Sequence, residues 1–485
     1  MLRTAVLTAM LSLALTASAI AAPVHVLTRD GREVVRQDRH LPPPDPAPAA
    51  RRAATPPRAH AAAKKQRKTT GTELLRLRDA GEITPDAYAA ALRTWRDARS
   101  ALRRVDGRRA TELGNVMKMV DALAADGQLT AGRVPVLFEI VRRNREWWGG
   151  NGSLLGYGAR AKFTGSRVVW QSYPGMGLQP QWLGTFGDAN ALAKSRRTSS
   201  NPALAALLDE VLGFASPRAG GIAWESFFPF SGAPPVWVSA LSQGTGIQAL
   251  ARASRKLGRP DYLQAATSAL GIFKAPPPEG VALKTRAGTH YLIYSTNPKL
   301  LVLNGFLQSL IGLYDYTQIS GDPEGQALFA AGDREAQTEV GGYDTGAWSL
   351  YDGVLESDLG YHRLVTQFLE NLCDRTSTAV YCDTATRFEA DETTPPALRI
   401  VTRRAVTKQP VPIRFTLSKM STVTLSVDGE RVTSARLGYG TRSLTWPGSK
   451  RPGTVTVRID ATDLAGNQAS TERELTLRRA KKQDR

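Results

Sequence analysis

Residues 303–315 read LNGFLQSLIGLYD, an apolar stretch with the period of a helix. Its large apolar residues recur every three to four positions, which predicts an amphipathic helix, here extended to 300–316. The same period returns at 246–253, at 262–266 and at 359–372, and short turns connect several of these segments. Helices paired through short connections predict a mainly α domain, an α/α barrel or toroid, over residues 71–390.

Three tyrosine-containing segments surround this helix in the sequence. Residues 294–298 read YSTNP, residues 343–346 read YDTG and are followed by LYD at 350–352, and residues 361–362 read YH. In this order, and together with the string at 303–315, they resemble the C-terminal domain of the D-glucuronyl C5-epimerases. The resemblance covers about residues 220–375 and is strongest over 291–372.

The resemblance implies a fold, a reaction and a set of site residues. It implies an α/α barrel that inverts C5 of a uronic acid residue within an acidic polysaccharide, with no metal or nucleotide cofactor. By resemblance, Tyr294 and Tyr361 hold opposed acid/base positions, and Tyr343 lines the same site. The family enzymes are dimers, so the resemblance also implies a homodimer.

Epimerisation at C5 needs particular residue types. A base removes the proton α to the carboxylate, an acid returns one from the other face, and the enolate-like intermediate must be stabilised. Tyrosine has a pKa of about 10, so a phenolate base needs nearby cations or hydrogen bonds. From chemistry and spacing alone, we expect Asn304, His362 and Arg363 to hold the carboxylate or to tune a phenol.

Other functions fit parts of the same pattern. A polysaccharide lyase begins with the same proton abstraction and then expels the 4-O substituent. A glycoside hydrolase needs two carboxylates across a cleft, and the available ones are Glu225, Asp344, Asp352 and Glu356. Leu292 and Ile293 stand where vertebrate epimerases carry glutamates, which favours a non-catalytic glycan-binding or cell-surface protein.

The sequence changes character at residue 391. Runs at 412–417, 423–427 and 455–459 alternate apolar and polar residues, with turn signals between them. This pattern is typical of β-strands and predicts an immunoglobulin-like β-sandwich over 391–478, followed by a basic tail at 479–485. Residues 460–467, DATDLAGN, resemble the last-hairpin motif of bacterial Ig-like domains.

The N-terminal residues predict export. Arg3 precedes an apolar run, and Ala19-Ile20-Ala21 has the pattern of a cleavage site, which predicts a signal peptide at 1–21 and a secreted or cell-surface protein. Residues 41–60 are rich in proline and alanine, so we expect a disordered basic linker over 22–70. We expect no integral membrane segment, because no other apolar run approaches the length of a spanning helix.

Charge and cysteine content narrow the partners and cofactors further. The chain has 63 Lys and Arg against 44 Asp and Glu, a net charge of +19, but much of the excess lies near its ends. This placement argues against a nucleic-acid partner and favours an acidic polysaccharide. With only five histidines, the composition argues against a multi-histidine metal centre. Cys373 and Cys382 are expected to form a disulfide in an oxidising compartment.

Overall fold

A computed structural model describes residues 22–38 and 68–479. The predicted signal peptide, most of the predicted linker and residues 480–485 lie outside the described residues. Two regions follow each other along the described chain, a larger helical region and a C-terminal β region. The predicted succession of a mainly helical domain and a β domain is therefore confirmed.

The helical region contains α-helices throughout residues 70–391. They are α1 (Thr70–Asp79), α2 (Pro85–Leu102), α3 (Gly107–Ala125), α4 (Val134–Trp148), α5 (Trp182–Lys194), α6 (Asn201–Leu212), α7 (Ala240–Leu257), α8 (Pro260–Ser268), α9 (Gly271–Lys274), α10 (Leu303–Ser320), α11 (Pro323–Glu339), α12 (Leu359–Thr376) and α13 (Ala379–Asp391).

Short strands accompany the helices, and longer ones form the C-terminal region. They are β1 (Ala22–Leu27), β2 (Glu33–Asp38), β3 (Arg160–Phe163), β4 (Trp170–Tyr173), β5 (Gly177–Pro180), β6 (Ser216–Arg218), β7 (Gly221–Ala223), β8 (Ala282–Lys284), β9 (Thr289–Tyr291), β10 (Leu398–Ile400), β11 (Arg404–Val406), β12 (Val411–Leu417), β13 (Ser421–Val427), β14 (Glu430–Leu437), β15 (Gly440–Trp446), β16 (Gly453–Asp463) and β17 (Gln468–Arg478).

The first part of the predicted linker is folded. β1 and β2 form a hairpin at one edge of a five-stranded sheet with the order β2-β1-β3-β4-β5. Val24 is buried, and Glu33 accepts a hydrogen bond of 2.5 Å from the Ser153 backbone N–H. The prediction of disorder from residue 22 therefore does not hold for residues 22–38. These residues precede the proline-rich stretch, and they form two strands that pair with each other, and β1 also pairs with β3.

Helices α5, α7, α10 and α12 run parallel to one another. Asn304 near the start of α10 contacts Tyr361 near the start of α12, and Asp315 further along α10 pairs with Arg375 near the end of α12. Helices α7 and α10 approach closely, since a Cβ on Gly312 would lie 2.2 Å from the Gly244 carbonyl oxygen. The N-terminal ends of these helices consequently share one face of the helical region, where the site residues lie.

A disulfide joins the ends of α12 and α13. Cys373 and Cys382 are bonded, with their Cα atoms 4.9 Å apart. The predicted disulfide is therefore present. It closes the short connection between the helix that carries Tyr361 and the last helix before the β region.

The C-terminal β region encloses its own hydrophobic core. One sheet has the order β10-β12-β15 and the other the order β11-β17-β16-β13-β14. Phe415, Leu425 and Ile459 are fully buried in the core that these sheets share. The three alternating runs lie within β12, β13 and β16, so the period-two pattern identified these strands correctly.

The β region is attached to the loop between Tyr343 and α12. The Glu356 carboxylate in this loop accepts hydrogen bonds from the backbone N–H groups of Met420 (2.7 Å) and Tyr439 (2.6 Å). Lys419 is buried, pairs with Asp463 at 3.2 Å, and donates to the Asp391 carbonyl at 2.6 Å. Breaking the Glu356 contacts or the Lys419–Asp391 contact leaves polar groups unsatisfied, so the loop, the end of α13 and the β region are expected to move together.

Glu356→Ala should loosen this attachment. Two backbone N–H groups lose their acceptor, and we expect the free energy of unfolding in urea to fall by about 1–3 kcal/mol. Burial raises the pKa of Glu356 above its ordinary value of 4.5. The stabilisation is therefore complete at low pH and diminishes as pH rises through the raised pKa, since the ionised carboxylate is disfavoured by burial. A wild-type advantage that instead grows as the pH rises from 4.5 would contradict this assignment.

Candidate functional site

The hydroxyl groups of two predicted tyrosines converge on the first turn of α10. The Tyr361 hydroxyl accepts a hydrogen bond from the Asn304 backbone N–H (3.0 Å) and donates to the Tyr351 carbonyl (3.2 Å). The Tyr343 hydroxyl donates to the Leu301 carbonyl (3.3 Å). Within segment 301–304, the Asn304 backbone N–H therefore contacts the Tyr361 hydroxyl, and the Leu301 carbonyl contacts the Tyr343 hydroxyl.

Local sequence explains how Tyr361 comes to this position. The Asp358 side chain caps α12 by accepting from the Tyr361 backbone N–H at 2.8 Å. The cap fixes the start of α12 so that Tyr361 lies in its first turn, against the first turn of α10. The positive end of the α10 dipole thus faces the Tyr361 oxygen, together with the Asn304 N–H.

Tyr343 belongs to a buried hydrogen-bonded group with Glu339 and His290. The Glu339 carboxylate accepts from the Tyr343 hydroxyl (3.1 Å) and lies 2.8 Å from His290 Nδ1. Burial and the neighbouring Glu339 carboxylate raise the pKa of Tyr343 well above its ordinary value. Tyr343 is consequently held in its protonated form. Its single hydroxyl proton is shared between the Glu339 carboxylate and the Leu301 carbonyl, and the neutral phenol is unsuited to act as a base.

Tyr294 lines an aromatic cleft. Its ring packs edge-on against Trp237 (5.1 Å between centroids) and Phe230 (5.9 Å). The cleft has a volume of about 60 Å³ and is open to solvent. Its further lining residues include aromatic, small polar and aliphatic ones: Tyr173, Gln181, Trp182, Leu183, Ser226, Phe228, Ser239, Leu241 and Ser242. Aromatic faces with hydroxyl and amide groups beside them suit the stacking and hydrogen bonding of a sugar ring.

The cleft is connected to the α10 segment through Ile293. A Cβ placed on Gly305 would lie 3.0 Å from the Ile293 Cβ, so the residue before Tyr294 packs directly on the first turn of α10. Tyr343 and Tyr361 do not line the cleft; they are 4% and 7% exposed and hydrogen-bonded to protein groups. The structure therefore brings the three tyrosines to one end of α10, but only Tyr294, itself 5% exposed, lines the cleft.

Of the three predicted substrate-binding residues, Asn304 lies at this end of α10. Its side chain is buried, and its Oδ1 has no hydrogen-bond partner among the described residues. A buried amide oxygen without a donor is costly, which fits a position that a ligand or a water molecule completes. Asn304 therefore stays in the candidate site.

His362 does not serve the predicted role. Its Nδ1 accepts from the Ser349 backbone N–H (3.2 Å), its Nε2 lies 2.9 Å from the Phe388 carbonyl, and its ring stacks on Trp348. Burial lowers the pKa of His362, so the imidazole is neutral with the proton on Nε2. Both nitrogens are occupied by protein groups, and the expectation that His362 holds a substrate carboxylate is corrected.

Arg363 also lies away from the site. It is exposed and pairs with Glu392 at 2.7 Å. Successive helical residues point about 100° apart, so two positions after Tyr361 the side chain faces the opposite side of α12. The expectation that Arg363 binds the substrate carboxylate is therefore corrected as well.

The carboxylates considered for a hydrolase do not form a catalytic pair. Glu225 is fully buried between Arg133 (2.6 and 2.7 Å) and Arg218 (2.6 Å). Asp344 pairs with Arg387, and Glu356 binds the β region as described above. Asp352 accepts backbone N–H groups within its own loop. Each carboxylate has a structural partner, so this geometry offers no support for two-carboxylate hydrolysis.

Sequence reasoning missed Glu339, His290 and the aromatic cleft. Glu339 lies four residues before Tyr343, a spacing that places two side chains on one face of a helical turn, and it could have been found on that basis. His290 is 49 residues from Glu339, and no local pattern links them. Within residues 22–38 and 68–479, no three His, Cys, Asp or Glu side chains form a group that could hold a metal ion.

Comparison with known proteins identifies the region that holds these residues. Residues 221–390 match the family described as D-glucuronyl C5-epimerase C-terminus. The D-glucuronyl C5-epimerase of Caenorhabditis elegans is 39% identical over 132 residues, which cover 24% of this chain and 21% of that protein. An uncharacterized protein of Methanocaldococcus jannaschii is 31% identical over 133 residues, covering 26% and 43%. The chain spans less than half the length of either relative.

Solved structures give more distant likenesses. A sugar epimerase from a ruminal bacterium is 14% identical, with 44% of this chain and 58% of that chain covered and a TM-score of 0.33. An α-mannanase of Bacteroides thetaiotaomicron is 10% identical, with 65% and 84% covered and a TM-score of 0.34.

The resemblance predicted over residues 220–375 is confirmed by the family match over 221–390, a region that holds all three tyrosines.

Proposed function

We propose that this protein is a carbohydrate epimerase that inverts C5 of uronic acid residues within an acidic polysaccharide. The family match over residues 221–390 supports the reaction class. The observation that carries the proposal is the pair of phenols at the first turn of α10, one beside a helix N-terminus and one held protonated by Glu339. Their environments differ in the way that a base and a hydrogen-bond donor require.

In the proposed mechanism the three tyrosines divide the work. Tyr361, as the phenolate stabilised by the Asn304 N–H and the α10 dipole, takes the proton from C5. Tyr343 keeps its proton through Glu339 and holds segment 301–304 in place through the Leu301 carbonyl. Tyr294 then returns a proton to C5 from the cleft side, and the new C–H bond has the opposite configuration. Tyr361 is left protonated and Tyr294 deprotonated, and both exchange with solvent before the next turnover.

Export and the class of the β region complete the proposal. An acidic polysaccharide outside the cell is the substrate class that the predicted signal peptide fits. The two sheets around one core support an immunoglobulin-like sandwich for residues 391–478. Within the described residues no helix has the length and apolarity to cross a membrane.

The reaction is tested by solvent exchange. We expect incubation of glucuronic-acid polysaccharides with the protein in D₂O to place deuterium at C5, detected by NMR as loss of the H5 signal and appearance of the C5 epimer. A lyase would instead give an unsaturated uronate with ultraviolet absorbance and shortened chains. If no substrate in a broad panel of uronic-acid polymers gains deuterium, the proposed activity is rejected.

A second function has an observation of its own in its favour. Both hydrogen bonds of the Tyr361 hydroxyl are already made to backbone groups, while the aromatic cleft beside Tyr294 is open. A protein that binds a glycan in this cleft without reacting fits these contacts. Saturable glycan binding that Trp237→Ala weakens, with no deuterium at C5, would favour this function over epimerisation.

A further inference from the structure

A basic cavity of about 220 Å³ lies at the C-terminal ends of α5 and α7. The residues that line it are Ala193, Lys194, Arg252, Arg255 and Lys256. Ser242, near the start of α7, lines the aromatic cleft instead. With a rise of about 1.5 Å per residue, the cleft and the basic cavity are about 20 Å apart along α7. The basic cavity is therefore separate from the candidate active site.

Two of the four cationic side chains in this cavity, Lys256 and Arg252, bind other groups of the protein. Lys256 donates to the backbone carbonyls at the end of α5, with one contact of 2.9 Å. Arg252 donates to Asn190 at 2.8 Å and forms an ion pair with Asp315. Asp315 is shared with Arg375, which it contacts at 2.8 Å. The Asp315 carboxylate is thus the counter-ion of both Arg252 and Arg375. The Lys256 ammonium group binds the carbonyl groups at the end of α5.

The remaining two cations have no such use. Lys194 and Arg255 are exposed at the rim of the cavity, and they make no side-chain hydrogen bond or ion pair with any described residue of 22–38 or 68–479. Partial desolvation of the ammonium group and the positive charges of Arg252 and Arg375 lower the pKa of Lys194, and the Asp315 carboxylate only partly opposes them. The cavity therefore carries uncompensated positive charge, and a bound anion would relieve the repulsion among its cations.

We propose that the basic cavity binds the oxyanion groups of an acidic glycan at a second site, remote from the cleft. Lysine and arginine side chains around an open cavity suit carboxylate or sulfate groups, with arginine able to bind two oxygens at once. Positive charge continues past the cavity, since Arg196 and Arg197 follow Lys194 and are exposed. An extended basic surface fits a polymer with repeated anions better than a single free ion. The proposal does not depend on the reaction in the cleft.

The test compares two charge-matched double variants by isothermal titration calorimetry. Lys194→Gln with Arg255→Gln removes the two unpaired cations, and Arg399→Gln with Arg431→Gln removes two exposed cations of the β region. The probe is a size-defined glucuronic-acid oligosaccharide at low ionic strength, with inorganic sulfate in a parallel titration. We expect the cavity variant to weaken oligosaccharide binding about tenfold and the control variant to change it less than about twofold.

Three results would overturn the proposal. Equal losses in both double variants would mean that only net charge matters, and unchanged binding in the cavity variant would mean that the cavity takes no part. Sulfate binding as tight as that of the oligosaccharide, with both lost in the cavity variant, would assign the cavity to a free anion. Circular dichroism and thermal unfolding establish that the variants are folded. Because the readout is binding, absence of C5 chemistry leaves this test intact.

Discussion

Tyr361→Phe is expected to lower the rate of deuterium incorporation at C5 by about 10³-fold. The phenylalanine ring fills the same space but lacks the oxygen that takes the proton, and positioned general bases contribute 10²–10⁴-fold in typical enzymes. Binding of the oligosaccharide should change little, because the ring remains. The measurement is the initial rate of H5 loss in D₂O at saturating substrate.

A matched variant separates this effect from a loss of stability. Tyr314→Phe also removes a tyrosine hydroxyl, one that donates to the Arg375 carbonyl at the other end of α10. Each variant loses a hydrogen bond of its tyrosine hydroxyl. We therefore expect the free energy of unfolding of each to be about 1–2 kcal/mol lower than that of the wild type. Equal rates for the two variants, or a Tyr361→Phe rate within a few-fold of wild type, would remove Tyr361 from the proposed mechanism.

Glu225→Ala is expected to destabilise the protein by about 3–5 kcal/mol. The Glu225 side chain is inaccessible to solvent, and its removal leaves Arg133 and Arg218 as buried cations without their carboxylate. The Glu225 carbonyl also accepts from the indole N–H of Trp182 at 2.9 Å, next to the cleft. Glu225→Ala keeps this backbone carbonyl, so we expect the loss to appear as a lower urea midpoint.

Glu324→Ala provides the comparison for this prediction. Glu324 forms an ion pair of 3.1 Å with Lys274, and both side chains are 48% exposed. Exposed ion pairs contribute about 0–1 kcal/mol to the free energy of unfolding, so the Glu324→Ala protein should have a urea midpoint close to that of the wild type. A Glu225→Ala protein as stable as the Glu324→Ala protein would show that the buried arginines find other partners.

The parts of the fold that follow from local pattern were predictable. The helix predicted at 300–316 is α10, and the helix predicted at 359–372 is α12; both begin within three residues of the predicted position and end four residues beyond it. Their apolar period, the Asp358 cap and the alternating C-terminal strands are all local signals. The tyrosines were found through resemblance to a family, and their position at the first turn of α10 then emerged from the packing.

The rest depends on contacts between distant parts of the chain. Arg133 and Glu225 are 92 residues apart, and His290 and Glu339 are 49 apart. Neither separation has a sequence signal, since no period or motif connects the partners. His362 and Arg363 were expected in the site because they follow Tyr361 in the sequence. Adjacent helical residues point in different directions, so adjacency along α12 gave the wrong neighbours.

The position of the label after partial conversion in D₂O tests the central claim most directly. If two tyrosines act from opposite faces, the epimerised residues acquire deuterium at C5 from the start, while the unreacted residues keep protium through the first turnovers. NMR of the separated uronic acids measures both fractions. Deuterium that accumulates first in the original epimer, or epimerisation without deuterium, would contradict an acid and a base on the two sides of the sugar ring.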